Sequence, residues 1–406
     1  MSIAQGINKV LVFFKQTGLG VPGTVGAHTG SQAMRRETGI GKLTMASFAN
    51  TELTTFQQST GKQHGLRSAT YALSGLLSPN TYSTLFSSLL RKLFTATTAL
   101  TGLGLTIAGT AGAWTATGTG FLTGGLKIGD IFRITTATGL NADNLNKNFL
   151  ISNLTATVIT FTVVNGTTIT TGTGTACTIT IPGKKCLAPL TGQTQEYWTI
   201  EEWQTDIAQS ELFTDMVMGS ADISLPSSGN TTCAFNLAGL NRTTGATQVL
   251  TSPAAVTTTP ILTAVQGDII VNGVAVANIT GATIKIDCAA ANMGGVIGTN
   301  FAPDVQRQVI SVSGQLTAFY QDGVMPGYFD ASTPINVVIV VATDGTAASD
   351  FVSFSMSSVI LDGDDKDDGQ KGIVRTYPFT ARMNPNGGTA LANDQTIISI
   401  QDSQAA

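Results

Sequence analysis

GLRSATYALSGLLSPNTYSTLFSSLLRKL, residues 65–93, changes its hydrophobic period once, at Ser78. Before that point Ala69, Tyr71 and Leu73 fall on one face, and Ser68, Thr70 and Ser74 fall on the other. A period of two predicts a half-buried strand over 65–77. After it, Tyr82, Leu85, Phe86, Leu89, Leu90 and Leu93 recur at three and four, the apolar stripe of a helix over 79–93. Ser78 is placed to cap that helix, Pro79 to open it, and Arg91 and Lys92 to complement the dipole in its last turn. A strand running directly into an amphipathic helix predicts a helix packed on a sheet.

Upstream, residues 1–33 form a Gly-rich arm with a short strand at 9–14, followed by a strand at 34–43 and a polar hairpin or loop over 44–63. Downstream, the composition shifts. Residues 95–188 are rich in Thr and Gly and poor in charge, with strands at 130–135, 149–154 and 158–164, and Pro182-Gly183 and Lys184-Lys185 mark their exit. Strands resume at 197–206, 216–225 and 231–240. A Thr/Pro-rich loop over 241–262 leads to 268–271, which Asn272-Gly273 turns into 274–279. Further strands are expected at 283–289, 309–320, 336–342, 351–360 and 375–383. The fold class is therefore mainly β: a sandwich or barrel core with one packed α-helix, built from 1–94 and 189–406, with 95–188 inserted as a small β-domain. A weak echo joins Tyr71-x-Leu73-Ser74-Gly75, Phe235-x-Leu237-Ala238-Gly239 and Ile310-x-Val312-Ser313-Gly314, and suggests two related half-domains.

Composition narrows the function classes. Charged residues are 11% of the 406, against roughly a quarter in an ordinary soluble domain. Mean hydropathy is nonetheless +0.21. The longest apolar run, 335–342, is interrupted by Asn336 and is far short of the ~18–20 residues of a membrane span. A surface with few charges suits a chain covered by copies of itself. The net charge of −4 and the sparse basic pairs Arg35-Arg36, Arg91-Lys92 and Lys184-Lys185 give no nucleic-acid footprint. MSIAQGINKV lacks the build of a signal peptide, so assembly in a cytoplasm is expected.

Candidate chemistry is thin. His28 lies in the arm and His64 in an expected turn beside Lys62, with no nucleophile elbow and no phosphate loop; Pro22 spoils Gly18-Leu19-Gly20. Glu201, Glu202, Asp206 and Glu211 form an acidic neighbourhood, but adjacent strand residues point to opposite faces and cannot flank one bond. The run 362–369 lacks the spacing of a calcium loop. Cys177, Cys186, Cys233 and Cys288 contain no C-x-x-C pair; Cys177 and Cys186 could face each other across a hairpin, and buried free thiols are the favoured reading. No catalytic, cofactor or metal residue is assigned.

Ordered motifs carry a resemblance. Ala4-Gln5-Gly6-Ile7-Asn8-Lys9 with Met34-Arg35-Arg36, then Gly75-Leu76-Leu77-Ser78-Pro79-Asn80-Thr81-Tyr82, then Trp198-Thr199-Ile200-Glu201-Glu202-Trp203 through Ser210-Glu211-Leu212-Phe213 to Ile223-Ser224-Leu225-Pro226 resemble the major tail tube proteins of long-tailed, siphovirus-type bacteriophages. So do Val271-Asn272-Gly273, Ile286-Asp287, Ala302-Pro303-Asp304, Val312-Ser313-Gly314, Asp350-Phe351-Val352-Ser353-Phe354, Lys366-Asp367-Asp368-Gly369-Gln370-Lys371-Gly372 and Ser399-Ile400-Gln401-Asp402-Ser403, in the same order.

The resemblance covers roughly 1–94 and 189–406. It implies a structural virion protein and not an enzyme, whose copies close into hexameric rings around a continuous inner β-barrel and stack into a tube. Its partners would be itself, the tape-measure protein, and the tail terminator and distal tail proteins, with no membrane. Double-stranded DNA would pass at genome ejection without tight binding, so a neutral or acidic lumen is expected, with Asp287 as candidate wall carboxylate. The wall strands would be 34–43, 65–77, 283–289 and 309–320. The arm and the 44–63 segment are candidates for ring-to-ring contacts. The alternative is a β-rich surface adhesin or surface-layer protein.

Overall fold

The computed structural model describes residues 3–52, 55, 58, 61–110, 112–166, 168–276, 278–367 and 372–405. The middle of the 44–63 segment, position 277 and the 368–371 part of the charged motif lie outside these.

The protein is mainly β. In chain order the elements are β1 (Lys9–Lys15), β2 (Thr38–Ala49), β3 (Lys62–Leu76), α1 (Ser83–Leu90), six strands β4 (Leu100–Thr110), β5 (Ala113–Thr117), β6 (Ile131–Thr138), β7 (Phe149–Leu154), β8 (Val158–Val163) and β9 (Gly172–Thr180), then β10 (Lys184–Leu187), β11 (Trp198–Gln204), β12 (Gln209–Pro226), β13 (Thr232–Gly239) and β14 (Asn241–Gly245). They continue with β15 (Gly267–Val271), β16 (Ile279–Asp287), β17 (Ser311–Phe319), α2 (Val324–Asp330), β18 (Ile335–Ala342), β19 (Phe351–Leu361), β20 (Asp365–Asp367), β21 (Val374–Ala381) and β22 (Ser399–Asp402). Two-residue bridges complete the pairing.

The predicted period change holds, with local differences. Ala69, Tyr71 and Leu73 are buried, as are Tyr82, Leu85, Phe86, Leu89 and Leu90. The helix is shorter than 79–93. Asn80 takes a left-handed φ of 63°, its N–H held by the Asp402 carboxylate at 2.8 Å, and this turns the chain out of helix before Tyr82. Ser78 bonds the Thr81 hydroxyl instead of capping. Arg91, at φ 59°, ends the helix, so Leu93 falls beyond the stripe and is 63% exposed. A second helix, α2, forms where none was expected; Asp322 accepts from the Val324 N–H, and Met325, Tyr328 and Phe329 lean on the core. Within 95–188 the strands β4, β5 and β9 were not anticipated, because their alternation runs through Thr and Gly and has few large apolar residues. Asn272 and Gly273 both take positive φ, as a tight hairpin turn demands, but only Val274–Ala275 returns along β15.

Two halves follow one plan. In the first, β2 pairs β3, β3 pairs β13, β13 pairs β12, β12 pairs β11 and β11 pairs β1, with α1 following β3. In the second, β16 pairs β17, β17 pairs β21, β21 pairs β19, β19 pairs β18 and β18 pairs β15, with α2 following β17. All of these ladders are antiparallel. The sequence echo is thus half right. Gly75 on β3 and Gly314 on β17 hold equivalent places, whereas Gly239 lies on β13, the neighbour of β3. At Gly75 a Cβ would stand 2.0 Å from the Tyr82 hydroxyl, and at Gly314 it would stand 2.2 Å from the Thr283 carbonyl oxygen, so both positions require glycine.

The halves join where β12 pairs β16. Their shared core runs through both: Phe86 of α1 stacks edge-on against Phe235 of β13 and Phe354 of β19, at 5.2 and 6.0 Å between ring centres. Each such ring contributes about 1.5–3 kcal/mol by burial alone.

The six strands β4 to β9 close into a barrel in the order β8-β5-β4-β9-β6-β7, with a separate core around Phe132, Phe149 and Phe161. The barrel is docked on the main sheet. Ile131, Leu150 and Val164 pack on Ile270, Val338, Val340 and Phe351. β18 is therefore buried on both faces, with Val337, Ile339 and Val341 turned to the main core. Lys185, buried beside the barrel, pairs with Asp130 and, at 3.0 Å, with Asp394. Burial opposes its charge, but the two carboxylates outweigh that and raise its pKa.

Candidate assembly surface

Eight strands form an unbroken run in the order β2-β3-β13-β12-β16-β17-β21-β19. Alternation gives this run two faces. One carries Tyr71, Phe235, Ile223, Ile284, Val312 and Phe379 into the core. The opposite face is wet and small. Register partners across it read Thr38, Ser74, Ala234, Asp222, Lys285, Ser313, Thr380 and Ile360, and on the next row Ile40, Ala72, Asn236, Ser220, Asp287 and Ser311. β-branched and hydroxyl side chains favour strands while keeping this face hydrated, which is why the sheet forms without a second apolar layer.

The structure places Asp287 on this wet face, at the end of β16. Its carboxylate accepts from the Ala289 N–H at 2.7 Å and lies 3.3 Å from the Lys285 ammonium. Lys285 is in turn opposite Asp222, whose pKa burial raises and Lys285 draws back. The sequence reading named Asp287 but missed Lys285 and Asp222. The shared parity of 283, 285 and 287 was the available signal for the first of them. Lys42 on β2 adds a further base, and Asp362, which accepts from the Thr380 hydroxyl of this face, a further acid. Four strands of the run, β12, β13, β21 and β19, also went unassigned to this face.

The run ends in two open edges. Among the described residues β2 has a strand on one side only, that of β3. At the other end, β18 stops covering β19 at the pair Ile335–Val359, so from Ile360 onward only the β21 side is occupied. Open edges of this kind are templates for pairing with another chain.

The catalytic candidates are each held in structural contacts. Glu201 is buried and accepts from the Ser210 hydroxyl and the N–H groups of Val249 and Leu250, at 2.6, 2.7 and 2.6 Å. Glu202, on the other face, pairs with Lys9 at 2.9 Å, and Glu211 pairs with Arg242 at 3.1 Å. Asp206 accepts from the Gln5 N–H, which lowers its pKa. His28 packs on Phe14 and contacts the Thr24 carbonyl. His64 is in strand β3 opposite Ser47, not in a turn. In the charged run, Asp362 accepts from the Thr380 hydroxyl at 2.6 Å, Asp364 pairs with Arg375, and 365–367 form β20. Among the described residues no three His, Cys, Asp or Glu are grouped to hold a metal, and no helix is long and apolar enough to cross a membrane. All four cysteines are buried and free; Cys177 lies in the barrel and Cys186 on β10 of the main sheet, so they do not share a hairpin.

Residues 6–381 match the phage tail tube protein family, nearly the whole length of the chain. The chain belongs to that family. No curated protein matches it. The family makes this a structural protein of the phage tail, one that assembles with itself into a tube.

Proposed function

We propose that the chain forms stacked closed rings whose inner wall is the wet face of the eight-strand run, and that this wall is the conduit for double-stranded DNA at genome ejection. The observation that carries this reading is the continuous sheet with a serine- and threonine-rich face and an open edge at each end. Ring closure pairs those edges and removes them. A wall whose bases are matched by acids fits rapid transit, since each unmatched Lys or Arg facing phosphate would add salt-sensitive, sequence-independent affinity. The ring has six-fold symmetry in its β-modules. The virion is of the long-tailed, siphovirus type and its tails assemble in the host cytoplasm. The tape-measure protein fills the tube before DNA, and terminator and distal tail proteins cap its ends. The protein has no enzymatic role.

Residues 95–188 act as an outward decoration. The barrel sits on the side of β18 turned away from the main core, which supports this placement. The N-terminal arm and the projecting β2–β3 hairpin make the ring-to-ring contacts. Electron microscopy of concentrated protein and of phage tails tests the reading: stacked rings with a central channel are expected, and a strictly monomeric protein at every concentration and salt would overturn it.

A further inference from the structure

We propose that each ring contains three copies of this chain, not six, and that the junction between copies repeats the β12–β16 ladder found inside the chain. The inference rests on the tube reading above. The register of the two halves carries it. Gly75 corresponds to Gly314. Their cross-strand partners are Cys233 and Phe379, and the partners of those on the next strands are Ile223 and Leu361. On the other side of the same strands, Leu73 faces Gly39 and Val312 faces Ile286, so β2 corresponds to β16.

In the first half, Ile223 and its neighbours pair with β16 of the second half: Asp222 with Lys285, Ile223 with Ile284, Ser224 with Thr283. The corresponding edge of the second half begins at Ile360 and has no strand beside it among the described residues. The strand that corresponds to β16 is β2, whose outer edge also has no strand beside it among the described residues; its Gly39 carbonyl and Gly41 N–H meet only the side chains of Lys9 and Glu202. Within one chain the two edges stand at opposite ends of eight strands, about 34 Å apart along the sheet at ~4.8 Å per step. They can meet only between copies. The internal ladder then sets the register: Ile360 of one copy beside Thr38 of the next, and Asp362 beside Arg36, which places opposite charges together.

Each chain thus supplies two modules of four strands. Three copies close a wall of roughly 24 strands, about 37 Å across between backbones, which leaves a bore of ~27 Å once side chains are allowed for. A duplex whose major groove is about 8.5 Å deep needs at least ~17 Å. Six copies would open the bore to ~63 Å, far wider than a duplex requires. Strand tilt widens both by the same factor.

The test is a disulfide cross-link in assembled tubes of a Thr38→Cys, Ile360→Cys double variant, read on a denaturing gel, with the two single variants as controls. The native cysteines are buried, so background is low. The expected result is a ladder that ends at three chains, with nothing beyond dimers in the controls. Tubes whose ladder runs to six would overturn the three-chain ring and leave the tube intact. Assembled tubes with no cross-link would overturn the edge pairing. If the double variant fails to fold, the mass of wild-type rings decides: three chain masses support the proposal, and six or two overturn it. Wild-type protein that never assembles would remove both this inference and the reading beneath it.

Discussion

Asp222 of β12 and Lys285 of β16 face each other across the ladder that joins the two halves of the chain, with Asp287 3.3 Å from the same ammonium. One base between two acids keeps this part of the wet face close to neutral. Asp287→Lys turns the balance of the face positive without touching the core. We expect assembly to be unchanged and binding of duplex DNA inside tubes to become measurable and steeply salt-dependent. DNA retention measured against salt concentration checks this; retention no different from wild type at low salt would mean that Asp287 does not line the bore.

Leu89 is fully buried on α1, in the core shared by the two halves. Leu89→Asp places a carboxylate there with no partner and should cost several kcal/mol, enough to prevent folding. Circular dichroism and solubility report the outcome, and a folded, assembling Leu89→Asp protein would contradict the packing described.

Gly75→Ala should cost about 1–3 kcal/mol, because the new methyl meets the Tyr82 hydroxyl, which donates to the Arg35 carbonyl at 3.0 Å. Tyr82→Phe removes that oxygen and leaves the ring carbon 3.2 Å from the added Cβ. In a double-mutant cycle by denaturant melts, the pair should therefore be more stable than Gly75→Ala alone. Additive losses would place the strain elsewhere.

Burial pushes the Asp402 carboxyl up to about 6, against the pull of the Gln404 and Asn80 N–H groups, and burial pushes Asp130 up to about 6 as well, opposed by Lys185. A carboxylate whose folded pKa lies above its unfolded value costs stability when ionised, so the cost is present above pH ~6 and is relieved as pH falls from about 6 to 4. The Asp402 share is on the order of 2–3 kcal/mol. Asp402→Asn keeps an acceptor for the Asn80 N–H and should flatten the gain in melting temperature between pH 7.5 and 5. An unchanged pH profile would show that Asp402 does not titrate in that window.

Much of this was readable in the sequence, and the failures have physical causes. The switch of period at Ser78 located β3 and α1 because large apolar residues mark both faces unambiguously. The helix ends were misread because Asn80 is turned by Asp402, more than 300 residues away, which no local rule contains. The barrel strands β4, β5 and β9 bury Leu105, Ile107, Ala116 and Cys177 between threonines, too few large residues for alternation to stand out. Asp287 was named from the resemblance and from its place on a strand. Its neighbours Lys285 and Asp222 belong to the same face only through the β12–β16 ladder, a tertiary fact.

The barrel also separates, in chain order, strands that pair with each other in the folded protein. β1 waits for β11, and the intervening residues include all six barrel strands, whose contacts are local to one another. At about 5–20 residues per second, the barrel takes roughly 5–20 s to emerge after α1, during which β2 and β3 have no β13 to rest on. A compact unit that folds first and then docks through Ile131 and Leu150 shortens the effective loop between β1 and β11 to the distance across its own ends. The insertion therefore sets the interval between the making of β3 and the making of β13, the strand that pairs with it.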